Sequence, residues 1–389
     1  MSEKSKGQSR IERDTQGEVE IAPGYYYGIN TARAKTEWFN VGSPTNFHLI
    51  SAYLHIKQAY AQAHNKLASL DTKVAQAITE ACGEMRNGNH KDQFIAECLQ
   101  AVSGITINTN INEVIANRAE EILGGKAGEY KLVQPEQSVN LGQHVGSLFL
   151  LATKLAVLKA LAELEPEILN LERLLRRDAL TLAKVLKVSA MPNIQSTTGQ
   201  WGKRLNVFTT ELEIAIKRIK EAESNLLYQE SDDHEKSSTV SDDEQNKLNE
   251  LMLENLAALT GFQLKDQDLQ GQNNGQSEFI ISDLVLVSSA LKDLATVLSK
   301  VAGVTKMAHA APHLDQTTEI PPLTDVQLFA DSLHMAAYQV VSNNFSLTFL
   351  AQCEQLESGM LMPLLSHNLL STIELLQAIV MGFQRKGLL

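Results

Sequence analysis

Apolar and polar positions alternate with helical spacing along most of the chain. From Phe47 the text "LISAYLHIKQAYAQAHNKLASL" repeats apolar residues at i, i+3, i+4 and i+7, the stripe of a helix that buries one face. "DTKVAQAITEACGEMRNG" follows, with Asp71 as a candidate N-cap and Asn87-Gly88 as a stop. After residue 138 the periodic runs lengthen. They predict helices over roughly 138–164, 166–188, 197–228, 244–260, 278–311, 326–358 and 361–385. Helices this long belong in a bundle of parallel and antiparallel neighbours. "SEFIISDLVLVSSALKDLATVLSKVAGV" is apolar nearly all round, which predicts burial on most sides, by neighbouring subunits as well as by its own chain.

The remaining text carries no such period. Residues 1–20 are polar and are expected to be a disordered tail. "EIAPGYYYGINTARAKTEWFNVGSPTN" holds Pro23, Gly24, Gly28, Gly42 and Pro44 and reads as irregular. "QESDDHEKSSTVSDDEQN", residues 229–246, has seven acidic residues against one lysine and is expected to be a solvated, mobile loop. It has no glycine to make an EF-hand turn.

Composition narrows the fold class. The chain has 389 residues, of which 43% are hydrophobic and only 5% aromatic. A core made of Leu, Ile, Val and Ala favours an all-α protein. The net charge of −12 argues against nucleic acid or an anionic membrane as partner. Cys82, Cys98 and Cys353 are few, odd in number and scattered, which predicts reduced thiols in a cytoplasm and no zinc site. The N-terminus lacks an apolar signal region. No 18-residue apolar run is free of charges, so no membrane span is expected.

One stretch raises a chemical question. "TINTNINEVIANRAEEILGG", residues 106–125, spends Asn108, Asn110, Asn112 and Asn117 among apolar positions, although asparagine is a mediocre helix former. This run resembles the first signature of the aspartase/fumarase superfamily, Asn-x-Asn-x-Asn-Glu-Val-Ile-x-Asn-Arg-Ala. "RIERDTQGEVEIAPGYYYGINTARA", "KDQF" (91–94), "LTGFQ" (259–263), "YQVVSNN" (338–344), "QLESGMLMP" (355–363) and "HNLLSTI" (367–373) follow in the family's order and spacing. The resemblance covers nearly the whole chain and lies nearest the aspartate ammonia-lyase and class II fumarase branch.

That resemblance implies a long-helix bundle in which four chains join their central helices and three chains build each active site. It implies an N-terminal domain over 21–137 and a central bundle over 138–389. The family's small C-terminal domain is expected to be absent. The asparagines are then expected to satisfy buried groups at a crowded helix start rather than to touch substrate.

The family's reaction takes a proton from the carbon beside a carboxylate and expels amine or hydroxide, leaving fumarate. It needs donors around an enolate-like intermediate, and a base. Four segments supply them in the family, and each is changed here. In "VSGITINTN", Ser103 and Gly104 agree, but Ile105 stands where a threonine hydroxyl would donate, with Thr106 beside it. At the carboxylate-gripping helix start, Ser-Ser/Thr-Asn-Asp has become His144, Val145, Gly146 and Ser147. At the Thr-His pair stand Val188 and Ser189, and Pro192 replaces an aspartate. In the mobile loop, Thr318 and Glu319 replace two serines, Thr324 the lysine and Val326 the asparagine.

Charge makes the consequence physical. A glutamate beside a dicarboxylate repels it by roughly 4 kcal/mol at ~4 Å and an effective dielectric near 20. Each lost oxyanion donor costs about 3–4 kcal/mol in the transition state. The expectation is therefore a pseudoenzyme that needs no cofactor or metal. It would be homotetrameric, or mixed with an active relative, in a structural or regulatory role. The rival is a repurposed lyase with a non-dicarboxylate pocket, using Glu319 or His144 as base. The His144/Ser147 pair lacks a third group, and Pro312 separates His309 from His313, so neither is expected to form a catalytic or metal site.

Overall fold

A computed structural model describes residues 9–37, 42–100, 104–188, 192–227, 240–264, 276–310, 325–352 and 361–386. A hairpin, β1 (Arg10–Asp14) and β2 (Gly17–Ile21), precedes ten α-helices: α1 (Ile29–Glu37), α2 (Phe47–Lys66), α3 (Thr72–Arg86), α4 (Ile105–Ile122), α5 (Val145–Val188), α6 (Pro192–Leu227), α7 (Val240–Thr260), α8 (Gln276–Ala310), α9 (Asp325–Leu350) and α10 (Met362–Lys386). The all-α, long-helix class expected from the sequence is the class observed.

The chain divides into two compact units. The first comprises Met1–Val157, Leu227–Ile280 and Cys353–His367; the second comprises Leu158–Leu226, Ile281–Gln352 and Asn368–Leu389. In the first, α2 packs against α3 and α7, and α3 against α4. α2 is buried almost all round: Tyr53, Leu54, Ile56 and Ala59 have no exposed surface, and neither does Lys57. Asp71 caps α3 through the amides of Lys73 and Val74, as the sequence predicts.

In the second unit, leucines, isoleucines and valines of α5, α6, α8, α9 and α10 form the core, with Leu175, Leu212, Leu291, Leu347 and Leu376 fully or almost fully buried. Amides and hydroxyls tie helix to helix inside it. Asn344 donates to Ser288 Oγ at 3.0 Å, and Asn343 donates to Thr372 Oγ1 at 3.0 Å. Phe329 meets Phe383 edge-on at 5.3 Å. By length and composition, Val145–Leu180 and Met362–Arg385 contain windows apolar enough to cross a membrane. The packing uses 78% of the first window and 50% of the second.

Three expectations are corrected. Residues 10–21 are a paired antiparallel hairpin, not part of a disordered tail. Its polar strands are fixed by contacts made far along the chain: the Arg10 guanidinium donates to the carbonyls of Tyr25 and Tyr27, and Glu12 accepts from the amide of Ile29. Residues 29–37, read as irregular, form α1. The helices expected over 138–164 and 166–188 are the single helix α5, with Pro166 inside it. Pro166 cannot donate to the carbonyl of Ala162. Burial of Leu161, Leu164, Ile168 and Leu171 on one face outweighs that single lost bond. The acidic stretch 229–246 lies largely outside the described residues, and α7 begins within it, at Val240.

Candidate functional site

The asparagine-rich helix α4 is a junction for loops. Asn110 Oδ1 accepts from the amides of Ile95 (2.9 Å) and Ala96 (3.2 Å), and its Nδ2 donates to the Gln93 carbonyl. Asn117 accepts from Gly128 N and donates to the Tyr26 carbonyl and the Tyr130 hydroxyl. Glu113 accepts from the amides of Gly28, Asn30 and Thr31, the start of α1. Glu120 accepts from the amides of Lys131, Leu132 and Val133. These side chains replace hydrogen bonds that irregular backbone cannot make to itself. Burial raises the Glu113 carboxyl above the usual carboxylate range, against the opposing pull of its amide donors.

The start of α4 meets the first turns of α5. Gly104 takes a left-handed φ of +76°, and a Cβ there would lie 2.0 Å from the Phe149 ring. The contact is between Gly104, which directly precedes Ile105 and Thr106, and Phe149, two residues after His144–Ser147. Ile105 is 52% exposed and its side chain holds no donor. Thr106 is half-buried and lines a cleft of about 110 Å³ with Thr31, Lys35, Glu97 and Gln100. His144 is exposed, Val145 and Gly146 half-buried, and Ser147 buried. Ser147 donates its hydroxyl back to the His144 carbonyl at 3.2 Å, so in this arrangement it is a local turn contact and not a nucleophile facing a base.

Val188 is the last residue of α5 and Val326 lies in the first turn of α9, both in the second unit; of these two only the backbone is described. Ser103, Ser189, Thr318, Glu319 and Thr324 lie outside the described residues.

Beneath the segment that leads into α5 is a polar network, running from the buried Lys57 to the exposed Glu136, that sequence reasoning missed. Lys57 Nζ donates to Asn140 Oδ1 at 2.8 Å, and Asn108 Nδ2 donates to the same oxygen at 3.3 Å. Asn140 Nδ2 donates to Glu136 Oε2 (2.8 Å), and Asn112 Nδ2 to Glu136 Oε1 (3.3 Å). Two turns further along α2, His64 Nε2 contacts the Leu141 carbonyl at 2.9 Å and Nδ1 contacts Ser69 Oγ at 2.8 Å. Complete burial brings the Lys57 ammonium down to about 7, with Glu136 opposing the shift, and pushes the Cys82 thiol up to about 12. Burial also lowers His64. The available signal was Lys57 and His64 standing among apolar residues of one buried-looking helix.

Helices of up to 44 residues, with an asparagine-rich helix pinning the N-terminal loops, define an all-α protein of the aspartase/fumarase type. Residues 29–305 match the lyase family, and the chain belongs to it. It is 28% identical over 382 residues to an aspartate ammonia-lyase of Pseudomonas aeruginosa, covering 95% of this chain and 79% of that one. It is 28% identical over 388 residues to a class II fumarate hydratase of Thermus thermophilus, covering 96% and 82%. A fumarate lyase:delta crystallin from Brucella melitensis has a similar solved structure, with TM-score 0.79 and 24% identity over 97% of this chain and 86% of that one. A class II fumarase of Schistosoma mansoni gives 0.77 at 22% identity, over 97% and 84%.

Proposed function

We propose that this chain is a catalytically silent member of its lyase family, self-associating as a homotetramer or joining an active relative in a mixed oligomer, with a structural or regulatory role in the cytoplasm. The observation that carries the reading is the junction of α4 and α5. Isoleucine stands at the position where the family resemblance implies a donating threonine, and Val145-Gly146 stand where it implies a hydroxyl and an amide. Neither replacement side chain can stabilise a developing oxyanion. Purified protein supplied separately with aspartate, malate and argininosuccinate is expected to form no fumarate. Turnover of any one of them, followed by fumarate absorbance, would refute the reading.

Self-association draws support from α9. Leu328, Met335, Tyr338, Val341, Phe345 and Phe349 fall along one stripe and are 42–72% exposed within the single chain. Spacings of three, four and seven residues make a seam for packing against another helix. Tyr338→Glu combined with Phe345→Glu is expected to convert the assembly to monomers in light scattering while leaving helical circular dichroism in place. A wild-type protein that is already monomeric at micromolar concentration would overturn the assembly.

The rival reading, a repurposed pocket, draws on the cleft beside Thr106, where Lys35 and Glu97 place both signs of charge on one wall set. A thermal-shift screen separates the two readings: stabilisation by a non-dicarboxylate metabolite, lost in Glu97→Gln, favours the pocket.

A further inference from the structure

The amides around Lys57 have only one orientation open to them. Asn108 turns its Nδ2 to Asn140 Oδ1, which also accepts from Lys57. Asn112 turns its Nδ2 to the Glu136 carboxylate. Flipping either amide would set oxygen against oxygen, so both Oδ1 atoms face away from these partners. Both are buried without a hydrogen-bond partner, in residues 2% and 0% exposed. They lie one turn apart on α4, on the side of the helix that also reaches Asn140 and Glu136.

The donors opposite are in excess. Lys57 Nζ has three N–H groups and, among the described residues, a single hydrogen-bonded acceptor, Asn140. The Tyr53 hydroxyl, one turn earlier on α2, is also fully buried and without a partner. Orphaned groups at this depth are rare because each has given up its hydration without gaining a partner.

We infer that Lys57, Asn108 and Asn112 bind an enclosed water molecule in the core of the first unit. The chemistry selects the ligand class. Two amide oxygens require a donor of two hydrogen bonds, and the lysine requires an acceptor. A cation would meet the ammonium, and an anion would meet the two amide oxygens. A small neutral molecule that donates twice and accepts once satisfies all three, and buried waters ordinarily make about three such bonds. The water extends the chain Lys57–Asn140–Glu136 and so supports the segment, residues 135–144, that leads into α5.

A high-resolution crystal structure of the full chain is the direct test. An ordered water oxygen is expected at ~2.8–3.0 Å from Lys57 Nζ and from the two Oδ1 atoms. Direct bonding of Lys57 to an amide oxygen, or an empty gap among ordered side chains, overturns the inference. Oxygen-17 relaxation dispersion in solution is expected to count at least one fewer long-lived water in Asn112→Leu than in the wild type; an unchanged count also overturns it. Should that variant fail to fold, the wild-type density decides alone.

Discussion

Glu113→Ala is expected to cost the protein roughly 3–5 kcal/mol and to release α1 and the hairpin before the rest of the first unit unfolds. The reason is where the α1 amides go. A helix leaves its first amides without intrahelical acceptors. Glu12 takes the amide of Ile29, and the carboxylate of Glu113, more than eighty residues later, accepts from Gly28 and Thr31 with one oxygen and from Asn30 with the other. Glu113 is 1% exposed, so water cannot replace it without opening the fold. Gly28 is pressed against that carboxylate: a Cβ on it would lie 2.8 Å from Glu113 Cδ, leaving no room for a substitute from the α1 side. Glu113→Gln keeps the shape and one acceptor oxygen and removes a charge that burial disfavours. It is expected to cost clearly less than Glu113→Ala. Urea unfolding gives the two stabilities, and hydrogen exchange at residues 28–37 shows whether α1 opens first. Equal protection of those amides in wild type and Glu113→Ala would refute the capping role.

The same residue shows what the sequence can and cannot disclose. Periodicity locates α2, α3 and the later helices because their stability comes from a face that repeats every three or four residues, and that repeat is written locally. α1 and the hairpin have no such stripe. Their hydrogen-bond partners, Glu113 and the carbonyls of Tyr25 and Tyr27, are distant in sequence or lie in irregular text, so local propensity has nothing to detect. Pro166 misled in the opposite sense: it is a local breaker, overridden by leucines whose burial is a tertiary fact. The asparagine run marked the family, and the structure gives its members separate roles. Asn110 and Asn117 take up backbone groups of the loops, and Asn108 and Asn112 bond side chains of the Lys57 network. Gly104, beside Ile105, meets Phe149, just beyond His144–Ser147, in a contact that no spacing in the sequence encodes.

Lys57→Met is expected to stabilise the protein at pH 7 by on the order of 1–4 kcal/mol, the range seen when buried ion pairs give way to well-packed apolar groups. Methionine is one atom shorter than lysine, stops short of Asn140 and fills most of the same slot in α2. Asn140 still accepts from Asn108, the inferred water still donates to Asn108 and Asn112 and loses only its bond to Lys57, and Glu136, the carboxylate in the network, is exposed and needs no buried counter-charge. The pH dependence identifies the cause. Lys57 falls from 10.5 to about 7 on folding because burial penalises its charge. Between those values the unfolded chain holds a proton that the folded chain has released, so this residue makes stability rise with pH. Below about 7 both states are protonated, and the full penalty is present without a slope. Toward the top of the window the Cys82 thiol acts in the opposite direction. Burial raises it from 9.0 to about 12, so folding favours its protonated form and stability falls as pH rises through that range. The clean comparison therefore runs from pH 7 to 9. Over it, the stability difference between Lys57→Met and wild type is expected to shrink steadily as wild type gains stability. Parallel urea titrations at several pH values measure it. A variant that is destabilised throughout, with a pH slope equal to that of wild type, would mean that Lys57 keeps its charge in the core and is held there by Glu136 through Asn140.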